Sequence, residues 1–195
     1  MKQWLLLAAL CSAPAFALTP CPNDARDYER AIVDAADEAV PALWRLDIEV
    51  FSTVVPEKVA RVSDGRLYVI QFRSPLWRDG TAARGALPKK GVVVSLADVP
   101  KELTARLVGV VSKAVKTPGE REREGLLDGD TFRFDVPSVG CAQTMAPLPT
   151  SADGRLAELF DLIWKRTHAS GAREVREAQQ ALADWLDAME LRYPR

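Results

Sequence analysis

One histidine, three cysteines and no apolar run near the roughly 20 residues that span a bilayer are what 195 residues offer, and each scarcity removes a class of function. With His168 alone, a Ser-His-Asp or Cys-His scheme or a polyhistidine metal site has a single residue to draw on. No G-x-S-x-G, Walker loop or G-x-G-x-x-G accompanies it. His168 lies in "KRTHASG", where a helix is expected to end, and reads as a cation on the last helical carbonyls.

Asp128, Asp130 and Asp135 suggest calcium, but "DGDTFRFDVPSV" has Val139 where an EF-hand loop needs its glutamate, so Asp128-Gly129 reads as a turn. No catalytic residue, metal ligand or cofactor site is therefore assigned. Net charge is close to zero at −1, against the basic excess of a nucleic-acid binder. Acidic residues are plentiful, which keeps a carboxylate-dependent cell-envelope hydrolase as the alternative reading; its mark is two acidic side chains converging in a cleft.

What is present begins with export. Lys2, the apolar run Trp4 to Leu10 and the A-x-A triplet Ala15-Phe16-Ala17 form a signal peptide over residues 1–17, cleaved after Ala17. Cys11 resembles the lipid-bearing cysteine of a bacterial lipoprotein, but Leu10 stands where the lipobox wants a small residue. The mature chain, 18–195, is then periplasmic or secreted, without a membrane anchor, and keeps Cys21 and Cys141 as its only cysteines. Two cysteines in an oxidising compartment predict a disulfide.

The mature chain is long enough for one sizeable core, and its periodicity places the elements of a single domain. Tyr28, Ile32, Ala35, Ala39 and Leu43 recur at helical spacing. Leu46, Ile48 and Val50 alternate with Asp47 and Glu49, as in a strand with one wet face. Asp64-Gly65 between alternating runs predicts a hairpin over 58–73. "VVVSL" at 92–96 reads as a short strand, and Asp98 and Pro100 open a helix through Leu103, Leu107, Val110, Val111 and Ala114. "TFRFDV" continues the sheet, and two apolar stripes, Leu156 to Trp164 and Val175 to Met189, form a C-terminal helical pair at about 153–192. The fold class is α+β: an antiparallel sheet of about 4 to 6 strands under an N-terminal helix, a central helix and the C-terminal pair, with one disulfide.

One segment departs from the balanced charge. Between Arg73 and Lys90 the chain carries Arg73, Arg78, Arg84, Lys89 and Lys90 against the single Asp79, with Trp77 among them. Arg and Trp are enriched at binding hot spots, so these six residues are the candidate binding set. The element order, with "LADVPKELTARLVGVV", "DGDTFRF" and the terminal helix, resembles over about half the chain the small bacterial protease inhibitors of the emfourin type. That resemblance implies an inhibitor and assigns no residues. Together these features lead to the expectation of a non-catalytic exported module, of inhibitor or immunity type, that recognises another envelope or secreted protein.

Overall fold

The computed structural model describes residues 18–21, 27–41, 43–52, 55–74, 91–117, 129–145 and 147–193. Helix α1 (Asp27–Ala39) stops just before Pro41, so Leu43, expected on its apolar stripe, is 93% exposed, while Ile32, Ala35, Ala36 and Val40 are buried. Strand β2 (Trp44–Phe51) follows, then the hairpin of β3 (Lys58–Ser63) and β4 (Arg66–Phe72), whose turn places Gly65 at φ +76°, open to glycine without strain. Strand β5 (Val92–Asp98) leads into α2 (Lys101–Lys116), where all five residues of the predicted stripe are buried.

Strands β6 (Thr131–Val136) and β7 (Gly140–Met145) precede α3 (Ala152–His168) and α4 (Ala172–Arg192). The α3 N-terminus is capped by Ser151, which accepts from the Gly154 N–H, and tied to the sheet by the Thr144 hydroxyl donating to Asp153 at 2.7 Å. With the short β1 (Thr19–Pro20), the sheet has seven strands in the order β1-β7-β6-β2-β3-β4-β5, every neighbouring pair antiparallel. The upper expectation of six was exceeded because β1 and β7 carry no apolar alternation of their own. Cys21 and Cys141 are bonded, with Cα atoms 5.5 Å apart, closing the chain at the β1–β7 side.

The sheet has a core on each face. Leu46, Ile48, Val50, Ala60, Val62, Leu67, Val69, Phe134, Val136 and Ala142 face α2, α3 and α4 in the main core. The opposite face carries Val59, Tyr68, Ile70 and Phe72 against Ile32, Ala35, Ala36 and Val40 of α1. Asp47 and Glu49 lie on that second face, expected to be wet. It is covered instead, because the apolar stripe of α1 needs a surface to pack on, and both carboxylates are buried.

Candidate functional site

Two regions carry chemistry: a buried charge ladder under α1, and the outer hairpin β4–β5. The ladder follows from register. Asp47 on β2 stands opposite Arg61 on β3 and Asp135 on β6; one rung along, Glu49 stands opposite Arg133 on β6. Opposite charges directly across antiparallel strands attract, and here they do so out of water.

Arg61 is fully buried. Its Nε and Nη2 grip the Asp47 carboxylate at 3.0 and 2.7 Å, Nη2 also donates to Asp37 of α1 at 2.6 Å, and Nη1 donates to the Val40 carbonyl at 2.7 Å. Val40 and Ala36, whose carbonyl lies 3.5 Å from Nη1, close the last turn of α1, which has no basic residue of its own. A guanidinium from the sheet thus occupies the negative end of the helix. Burial pushes the Asp47 carboxyl up to about 6, against the hydrogen bonds and charge of Arg61. With that forked partner it is ionised at neutral pH.

Glu49 is in the opposite situation. It is 1% exposed, the Arg133 Nε lies 3.9 Å away, and among the described residues its Oε2 has no hydrogen-bond partner. Arg133 is shared with Glu29 at 3.4 Å, Asp135 at 3.7 Å and the Sγ of Cys141, to which its Nε donates at 3.0 Å. Burial pushes the Glu49 carboxyl up to about 8, with Arg133 opposing. Burial also raises Asp135. Asp47 and Glu49, two residues apart on the β2 face that α1 covers, are therefore buried beneath a helix and do not line an open cleft. The ladder fastens α1 to the sheet.

The signal for it was in the sequence: acidic residues at alternate positions of β2, basic ones in β3 and β6. Only the register makes them partners. Among the described residues no group of three or more His, Cys, Asp or Glu side chains is placed to hold a metal ion, and no helix is long and apolar enough to cross a membrane.

At the outer hairpin the six candidate binding residues divide. Arg73 is exposed, and its N–H donates to the Gly91 carbonyl at 2.6 Å, the last rung between β4 and β5. Trp77, Arg78, Arg84, Lys89 and Lys90 lie outside the described residues, as do Asp128 and Glu120 to Glu124. In the sequence, the segment holding them runs from β4 to the edge strand β5.

His168, the last residue of α3, lies against β5. Its Nδ1 donates to the Trp164 carbonyl at 2.9 Å, the helix-end contact expected of it, and Nε2 meets the Ser95 hydroxyl at 3.1 Å. The ring stacks on Trp164 at 4.2 Å, and Lys58 Nζ also lies over the indole, 4.9 Å from its centroid. With its nitrogens on a backbone carbonyl and a strand serine, His168 clips β5 to α3. Trp185 and Met189 are core, the Trp185 indole N–H donating to the Arg155 carbonyl at 2.8 Å.

Compared with known proteins, the chain matches no family model, no curated protein and no solved structure.

Proposed function

We propose that this chain is an exported, non-catalytic binding module, of inhibitor or immunity type, that recognises another protein of the envelope or the extracellular space. The observation that carries the reading is the edge strand β5, which follows the basic segment in the sequence and leaves Val93, Val94 and Leu96 exposed. The A-x-A triplet and the Cys21–Cys141 bond support export to the periplasm or beyond, with cleavage after Ala17. The ladder under α1 supports a structural role for the buried charges and leaves the function to the surface. No cofactor is called for.

Five basic side chains attract an acidic partner from a distance and set the on-rate and its salt dependence, while Trp77 supplies the desolvated anchor that sets residence time. Pull-down from envelope extract with wild type, Trp77→Ala and the Arg78→Ala/Arg84→Ala pair tests this. Trp77→Ala is expected to lose about 2 kcal/mol of affinity with its melting temperature unchanged. The arginine pair is expected to bind more slowly and with a flatter salt dependence. Equal recovery of every partner by all three proteins would sink the proposal.

A further inference from the structure

The two edges of the sheet are built differently. One ends in β1, two residues long and closed by Pro20 and the disulfide, the kind of blunted edge that resists further pairing. The other is β5, seven residues long, whose run "VVVSLA" holds no charge and no proline, and which pairs among the described residues only with β4.

Register shows which of its backbone groups are spoken for. Arg73 and Gly91 form a hydrogen-bonded rung at one end, and the Val99 N–H donates to the Gly65 carbonyl at the other. Alternation between these rungs turns Val93, Ser95 and Ala97 toward β4 and leaves the N–H and C=O of Val92, Val94, Leu96 and Asp98 facing outward. The Asp98 carbonyl is already taken, accepting from Arg166 Nη2 at 2.7 Å. Among the described residues, the open stretch is Val92 to Leu96. Val94 and Leu96, whose side chains share the α1 face, are 42% and 50% exposed, and Val93 on the other face is 42% exposed.

The α3 side of this edge is basic, whereas α1 on the other side carries Glu29, Asp34, Asp37 and Glu38 against Arg30. Arg73 stands at the N-terminal end of β5, and the last turn of α3, seated on the strand through Arg166 and His168, carries Lys165 beside them. The one acid of the strand, Asp98, lies 3.3 Å from Arg66.

We infer that β5 is a strand-addition site: an extended, acidic segment of a partner protein pairs along Val92 to Leu96 and lays alternate apolar side chains beside Val94 and Leu96. This rests on the binding-module reading and names the partner's chemistry. Main-chain hydrogen bonds supply the attachment, the exposed valine and leucine the register, and the basic flank the preference for acid.

The decisive variant is Val94→Pro. It deletes an outward N–H while every rung to β4 remains, and proline suits an extended position whose N–H faces solvent. A phage-displayed library of random linear peptides is selected on immobilised wild type. Selected peptides are expected to alternate apolar with acidic residues and to protect the Val94 and Leu96 amides from exchange. They should bind Val94→Pro and Leu96→Glu at least about tenfold more weakly, while Val94→Thr, which keeps the N–H and the branched shape, holds them within a few-fold. Selection of no peptide, or peptides that bind Val94→Pro as well as wild type, would overturn strand addition. So would self-association of the wild type that Val94→Pro abolishes, since the edge would then belong to a second copy. Each of these leaves the Trp77 pull-down standing, because that test is read on a different residue without any peptide.

Discussion

Replacing Arg61 by methionine is expected to lower stability by about 4 kcal/mol at neutral pH, a fall in melting temperature on the order of 10 °C for a domain of this size. The size follows from what is left behind. Methionine fills much of the volume, but Asp47, 2% exposed, loses the cation that holds its carboxyl down and must take up a proton or stand charged and unpaired out of water, and the last carbonyls of α1 lose their donor. Removing one member of a buried pair costs far more than removing both. Arg61→Met combined with Asp47→Leu should therefore recover most of the loss, although one further polar group has been changed toward oil. Urea titration of wild type, single and double variants measures this. A single variant as stable as wild type would mean that the ladder does not fasten α1.

Glu49 produces an effect of similar size with the opposite handle, pH. Its carboxyl is pushed up to about 8 in the folded chain against an ordinary 4.5. Between those values the unfolded chain has released a proton that the folded chain still holds, so stability falls as pH rises through the window and levels off above it. The fall attributable to Glu49 is on the order of 4 kcal/mol between pH 5 and pH 8, and Asp47, raised to about 6, adds to the acid end of the same slope. Glu49→Gln keeps the shape, cannot ionise and supplies an amide where Oε2 has no partner. It is expected to flatten the pH 6 to 8 limb and to exceed wild type in stability at pH 8. Thermal melts across that range decide it; parallel curves for the two proteins would show that Glu49 ionises as freely folded as unfolded.

Those two side chains also mark how far the sequence could be read. Elements with a strong local period were legible: the Asp64-Gly65 hairpin, the five-residue stripe of α2 and the paired stripes of α3 and α4 all stand where periodicity placed them. The Cys21–Cys141 pairing follows from cysteine number. Alternation in β2 was read as apolar inside and charged outside, because an isolated strand shows no sign of a second covering layer. Whether Asp47 and Glu49 met water depended on where α1 landed, and their partners Arg61 and Arg133 are brought beside them only by the pairing of β3 and β6 with β2. β7, whose "GCAQTM" mixes small and polar residues, owes its place to its neighbours.

β5 stands where a short strand was expected, but its place in the sheet was not legible: it is an edge strand with the large apolar side chains of Val93, Val94 and Leu96 exposed.

The central claim, that this outer hairpin meets another protein, is tested most directly by placing a photoreactive benzoylphenylalanine at position 77 in the full-length chain and irradiating living cells. Position 173 on the exposed start of α4 serves as the control. The account predicts a crosslink from position 77 to a distinct envelope or secreted protein, lost at high salt, with none from position 173. Crosslinks from position 173 and none from position 77 would contradict it.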